Sequence, residues 1–151
     1  MVRLQDAVKY KGSSLEEKEG CGFSLIRIEG KPIPWTSPVV GKFGTYSKHA
    51  AQKKVMQNII ASQYKGPLLK DRVIIQVEFR FCPPKSISKK LRQAMLDGMI
   101  PHIKRPDGTN LWKLFEDACT GIIWLDDNQV VEAVISKRYA ESDCSILRIF
   151  S

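Results

Sequence analysis

The stretch KRPDGTNLWKLFEDACTGIIWLDDNQVVEAVISKRY, residues 104–139, is the most informative part of this chain. RPDGTN is a turn by composition, because proline presets its own backbone and Asp, Gly and Asn tolerate turn geometry. Behind it Leu111, Leu114, Phe115 and Ala118 fall at i, i+3, i+4 and i+7. That spacing predicts a helix with one apolar stripe, stopped by Gly121. IIWL then reads as a strand, residues 126–129 as a polar turn and VVEAVISKRY as another strand, a pairing that predicts a hairpin.

Before this segment, VIIQVEFRF at 73–81 places Val73, Ile75, Val77, Phe79 and Phe81 on one face and Gln76, Glu78 and Arg80 on the other. Such alternation has the period of a strand. CGFSLIRIEG near the start and CSILRIF at the end read as the first and last strands. KPIPWTSPVVGKFG, with its three prolines, reads as a long loop. The spacing of Ala51, Val55 and Ile59, with Met56 and Ile60 beside them, predicts a helix over 46–63 that Thr45 or Ser47 could cap. Ser88 can cap a short basic helix that ends at Gly98. Strands and helices alternate without the regular unit of a doubly wound sheet, so the expected fold is α+β, a mixed sheet with helices packed on it.

At 151 residues the chain suits one domain, and a chain of this size buries roughly 70% of its unfolded surface without needing disulfides. Cys21, Cys82, Cys119 and Cys144 are scattered and are read as reduced structural thiols, with no close pair to clamp zinc. Apolar runs stay far below the ~18 residues of a spanning segment, and the first residues lack a signal-peptide core. A soluble, intracellular protein is expected. Residues 1–20 are polar without clear periodicity and read as a frayed terminus or a short helix around 14–18.

Charge is unevenly divided. Of 24 Lys and Arg against 16 Asp and Glu, residues 31–105 hold 15 basic and 3 acidic side chains, a net of +12, whereas residues 106–151 hold 4 basic and 8 acidic, a net of −4. Basic residues hold phosphates and a local acidic cluster can hold a cation, as an enzyme acting on a polyanion through metal-bound carboxylates requires. Asp107 lies before the predicted helix, Lys113 within it, and Asp126 and Asp127 where the following strand ends, so packing could bring all four together. Magnesium takes oxygen ligands, commonly a few carboxylates completed by water and substrate phosphate. Such an ion could activate water for in-line attack while a lysine offsets charge developing on the phosphorane.

Residues 104–139 resemble the RusA family of Holliday junction resolvases, whose signature runs P-D-x-D-N-L-x-K, a helix ending in Gly, then a strand leading to D-D-x-Q-[IV]-V. GKPIPW resembles the family's entry to its first loop, and PPKSISKKLRQAMLDGMIPHIKRPD resembles the P-K-S-x-S-K-K insertion of one branch. The resemblance implies a single α+β domain over 21–151 with helices mainly on one face, preceded by an extension at 1–20. It also implies a homodimer that nicks two opposed strands of a four-way junction with Mg²⁺, or Mn²⁺, during recombination and repair. Such a protein would work in the bacterial cytoplasm at the nucleoid, and could be prophage-encoded.

Carried over position by position, Asp107, Lys113 and Asp127 are the catalytic candidates. Asp107 and Asp127 are the metal ligands, joined by Asp126 as a ligand or as a group that orients one. Asp117 matches a family Asp, but four residues after Lys113 it is read as that lysine's ion-pair partner. Asn110 is read as a helix cap. Thr109 departs from the pattern: where the family commonly has a second carboxylate this chain has a hydroxyl, a weaker ligand and a sound cap. That departure supports an alternative, a junction-binding protein with weak or no cleavage. TSP also replaces a basic R-P-R, a loss that Lys42 and Lys48 are placed to cover. Lys89, Lys90 and Arg92, followed by His102, Lys104 and Arg105, form the expected phosphate-binding surface, with His49 and His102 either phosphate contacts or bystanders. Trp112 and Trp124 are read as core or dimer-interface side chains, and Trp35 as a packing residue rather than one that stacks on unpaired bases.

Overall fold

A computed structural model describes residues 23–151; the expected extension at 1–20, with its short helix, and Cys21 lie outside the described residues. A four-stranded sheet in the order β1-β6-β4-β5 organises the chain. It is built from β1 (Phe23–Glu29), β4 (Val73–Phe81), β5 (Val130–Tyr139) and β6 (Cys144–Phe150), while β2 (Val39–Gly41) and β3 (Gly44–Tyr46) form a separate ribbon. β6 runs antiparallel to β1 and to β4, and β4 runs parallel to β5, which makes the sheet mixed. Three helices accompany it among the described residues, α1 (Ala50–Gln63), α2 (Lys89–Leu96) and α3 (Gly108–Cys119).

The alternation in VIIQVEFRF does what its period requires. Val73, Ile75, Val77, Phe79 and Phe81 are buried and join Met56 and Ile60 of α1 and Leu111, Leu114, Phe115 and Ala118 of α3 in one core. On the opposite face Glu78 is buried but compensated, paired with Arg80 and, at 3.2 Å, with Arg138. Cys119 and Cys144 are buried free thiols and Cys82 is a half-buried one. Burial pushes the Cys119 thiol well up, which keeps it unreactive.

Several sequence expectations are corrected. IIWL is not a strand: Ile123 and Trp124 are fully buried, and the segment turns back on itself, with Gly121 N–H donating to Trp124 O at 2.7 Å and Leu69 N–H to Ile123 O at 2.8 Å. A short apolar run between a glycine and two aspartates serves here as a plug in the core. The expected hairpin is therefore absent, and β5 pairs in parallel with β4. The helix expected over 46–63 starts at Ala50, because Tyr46 is paired with Val39 in the ribbon. Its N-cap is His49, without a side-chain capping bond, rather than Thr45 or Ser47. Its buried stripe is Met56 and Ile60, while Val55 is exposed. Finally, the proline-rich loop is only partly irregular, since it contains β2.

Candidate functional site

The helix α3 starts where its sequence allows a cap. Asp107, not Asn110 or Thr109, is the N-cap: Asn110 N–H donates to Asp107 Oδ1 at 2.7 Å, and Asn110 Nδ2 donates to Oδ2 at 3.0 Å. A carboxylate here satisfies a free backbone donor and faces the positive end of the helix dipole. Thr109 sits in the first turn, exposed. Asn110 is thus the cap's partner, and its own side chain fixes the orientation of the Asp107 carboxylate.

Lys137 on β5 is a residue that sequence reasoning does not single out. Its Nζ donates to Lys104 O at 2.7 Å and to Pro106 O at 2.8 Å, which ties the turn before Asp107 to the sheet. Gly108 closes the same joint, since a Cβ placed on it would lie 3.0 Å from Ile135 Cγ2. No motif marks Lys137; only the packing of the turn on β5 reveals it. We expect Lys137→Met to slow any reaction that runs through Asp107 about ten- to a hundredfold, the usual cost of losing a group that orients a ligand, with Lys137→Arg less affected. Initial rates check this, alongside a melting curve to separate it from unfolding.

A cleft of about 660 Å³ opens beside this turn, lined by Lys31, Trp35, Arg105, Asp107 and Asn110 among others. Trp35 is anchored by its backbone N–H to Asn110 O at 2.9 Å. Lys113 Nζ lies 3.6 Å from the Trp35 ring centroid, a cation–π arrangement. Among the described residues no ion pair joins Lys113 to Asp117, so the expected partner is replaced by an aromatic ring. Trp35 packs, as expected, but it packs on the candidate catalytic lysine.

Asp126 and Asp127 do not line that cleft. Asp126 caps a single 3₁₀ turn (Asp127–Gln129): its Oδ1 accepts from Asn128 N–H at 2.8 Å, and its own N–H donates to Gln129 Oε1 at 2.8 Å. Gln129 Nε2 in turn donates to Leu69 O at 3.0 Å and Asp71 O at 2.8 Å. The carboxylate of Asp126 therefore has a structural role, whereas the side chain of Asp127 is exposed and makes no hydrogen bond or ion pair among the described residues. Asp127 is a neighbour of Glu116 on α3, whose carboxyl is held above its ordinary range by burial first and then by the negative charges of Asp127 and Asp117. Glu116 is a half-buried acid that sequence reasoning passes over, because its spacing alone is that of any helix-surface glutamate.

Every candidate ligand, Asp107, Asp127, Asp126 and Thr109, offers oxygen, the donor that Mg²⁺ or Mn²⁺ takes. Each carboxylate oxygen has a second lone pair, so the cap bonds of Asp107 leave it able to coordinate. Among the described residues no three His, Cys, Asp or Glu side chains form a ready cage. By donor type these residues suit an ion completed by water and substrate phosphate rather than a preformed all-protein site, although of the four only Asp107 lines the cleft.

The expected phosphate-binding residues divide. Lys42, Lys48, Lys89, Lys90, Lys104 and Arg105 are exposed. Arg92 is engaged instead: its guanidinium donates to Pro83 O at 3.4 Å and pairs with Glu141 Oε2 at 3.3 Å, which ties α2 to the β5–β6 turn. His102 is buried against Phe81, 4.3 Å between ring centroids, and against Tyr139 at 4.8 Å. Burial, then the charges of Lys137 and Lys104, hold its imidazole below its ordinary range. It is a neutral packing residue rather than a phosphate contact. Trp112 and Trp124 are both buried, 6.2 Å between ring centroids, and belong to the core.

A family model described as Endodeoxyribonuclease RusA matches residues 29–148. The chain is also similar to the uncharacterized protein YqaN of Bacillus subtilis (strain 168), 33% identical over 86 residues, 55% of this chain and 61% of that protein. The chain thus spans about three fifths of the curated relative it matches.

Proposed function

The chain belongs to the RusA endodeoxyribonuclease family, and we propose that it is a magnesium-dependent enzyme that resolves four-way DNA junctions by paired nicks in recombination and repair. It works as a homodimer, one site per subunit, because two cuts in opposed strands suit two symmetric sites. Its place is the bacterial cytoplasm, at the nucleoid or in the service of a prophage. Among the described residues no helix is long and apolar enough to cross a membrane.

One observation supports the reading above others: a single helix carries Asp107 at its N-terminus, fixed by Asn110 and braced through Lys137, and Lys113 over Trp35 more than one turn later. Asp107 and Asp127 would hold the cation, which would supply an acidified water and stabilise the leaving oxygen. Lys31 and Arg105 at the cleft hold the scissile phosphate, and Lys113 offsets charge that develops on it. The ring of Trp35 keeps that ammonium from folding onto a neighbouring acid. Outside the cleft Lys42, Lys48, Lys89, Lys90 and Lys104 contact the DNA arms, whose recognition is independent of sequence.

Incubation of a synthetic four-way junction with the protein, with and without magnesium, tests the reading: symmetric nicks that need the cation are expected, and their absence at any magnesium concentration sinks it. We further expect Lys89→Ala combined with Lys90→Ala to weaken junction binding and to flatten its dependence on salt by about one unit of slope per lost contact. An unchanged slope across a salt titration would show both lysines to be merely solvated.

A second reading, junction binding with weak cleavage, rests on Thr109, whose exposed hydroxyl stands where a carboxylate is common. Thr109→Asp adds one negative charge in the first turn of α3, where acids are favoured by the dipole, so the fold is not disturbed. The magnesium concentration for half-maximal nicking is expected to fall, since hard cations respond to ligand charge. A magnesium titration of parent and variant measures it, and coincident curves would mean that position 109 faces away from the ion.

A further inference from the structure

Between the cleft and α1 the chain leaves the body as the β2–β3 ribbon, whose two-residue tip is Lys42 and Phe43. Phe43 is 97% exposed and Val40 82% exposed. Phe79, Phe81 and Phe115, by contrast, are buried. A bare phenyl ring at the end of a tight turn does nothing for the fold, since any polar residue would serve there equally well. Glycine is required on both sides of the tip: Gly44 has φ +125, and the Tyr46 ring lies so close over Gly41 that an added Cβ would be 3.2 Å from it. The ring is therefore carried at the tip of a hydrogen-bonded ribbon.

The surroundings indicate what it meets. Residues 31–54 contain Lys31, Lys42, Lys48, Lys53 and Lys54 and no Asp or Glu. Lys42 Nζ lies 5.9 Å from the Phe43 ring centroid. An aromatic ring flanked by lysines matches a nucleic acid, whose phosphates the lysines neutralise and whose bases stack on the ring. A second copy of the same ribbon would bring like charges together. The root of the ribbon is fixed at the cleft, because Trp35 is hydrogen-bonded to Asn110 O at 2.9 Å. Phe43 follows within a chain reach of at most about 28 Å, so the tip stays within about eight base pairs of the cleft at the roughly 3.4 Å rise of a duplex.

We propose that Phe43 is a base-stacking wedge, inserted by the β2–β3 ribbon among the bases at the crossover of branched DNA. This rests on the junction-cleaving reading above and deepens it, by naming the group that tells a branch point from a continuous duplex. In a continuous duplex the bases are already stacked on one another and insertion must separate them. At a crossover the stack is interrupted, so the ring finds a base face at lower cost.

The test uses the full chain, without divalent cation, and a four-way junction carrying 2-aminopurine either at the crossover or in the middle of one arm. Binding of the parent is expected to change fluorescence at the crossover probe and not at the arm probe. Phe43→Ala should abolish that change and reduce the preference for junction over duplex about tenfold, the order of one lost base–aromatic stack, with duplex affinity unaltered. Phe43→Tyr should restore both. Because the ring is exposed, a melting curve for Phe43→Ala should match that of the parent. If the parent prefers the junction but Phe43→Ala keeps the preference and the signal, the wedge is wrong while the junction reading stands. A Phe43→Ala variant that instead changes oligomeric state in sedimentation makes the tip a protein contact and overturns the proposal. A parent with no preference for junctions overturns both readings.

Discussion

If the proposed junction-cleaving reading holds, Asp107→Asn and Asp127→Asn are each expected to reduce magnesium-dependent nicking of a four-way junction by at least about a hundredfold, on the order of losing one group that stabilises developing charge, with junction binding unchanged or tighter. The amide keeps the shape of the side chain but loses the charge that would hold a cation. At position 107 it also keeps the cap, since Asn caps a helix as well as Asp and its carbonyl oxygen can still accept from Asn110 N–H, although the bond from Asn110 Nδ2 is lost. At position 127 the carboxylate makes no hydrogen bond or ion pair among the described residues, so no structural contact is lost. Removing either negative charge also removes a repulsion toward phosphate, which is why binding does not suffer. Nicking rates measured beside gel-shift affinities decide the matter, and parental cleavage by either variant removes that residue from the ligand set.

Phe115→Ala is expected to cost about 3–5 kcal/mol of stability, a large part of the ~5–15 kcal/mol that holds a domain of ordinary size together. Phe115 is 1% exposed. Its ring meets Phe79 of β4 edge-on at 6.3 Å between centroids and stacks with Trp112 at 6.2 Å. Truncation leaves a cavity between α3 and the sheet, walled by elements that are themselves hydrogen-bonded in place and cannot collapse to fill it. The midpoint of urea unfolding reads the loss, and Phe115→Leu, which fills most of the space, should lose less. A change below about 1 kcal/mol would mean that the helix settles onto the sheet, against the rigidity expected of such an interior. The effect reaches the candidate site, because the same helix begins at Asp107 and carries Lys113.

Much of this is legible in the chain. The alternation from Val73 to Phe81 identifies a strand with a buried face, and the stripe Leu111, Leu114, Phe115 and Ala118 identifies α3, because both periodicities follow from backbone geometry alone. The motif residues Asp107, Lys113 and Asp127 can be named from their spacing and from the family they resemble. Residues whose role depends on a distant partner cannot. Nothing in the local sequence distinguishes Lys137 from any other strand lysine, yet its ammonium holds the carbonyls of Lys104 and Pro106. Helical spacing assigns Lys113 to Asp117, but Trp35, far away in sequence, takes it. His102 reads as part of a basic surface, whereas Phe81 and Tyr139 close around it.

The strongly periodic elements and the basic middle of the chain are properties of neighbours along the backbone, and the chain alone settles them, whereas the acidic candidates are named there only by motif. Packing settles the rest: that IIWL is a plug rather than a strand, that β5 lies parallel to β4, and which side chains are bound to one another. A four-residue apolar run satisfies a strand and a buried turn equally, and only the space left beneath α3 selects between them. The same holds for Phe43: its type is written in the chain, but its full exposure at the tip of a ribbon is a consequence of where β2 and β3 pair.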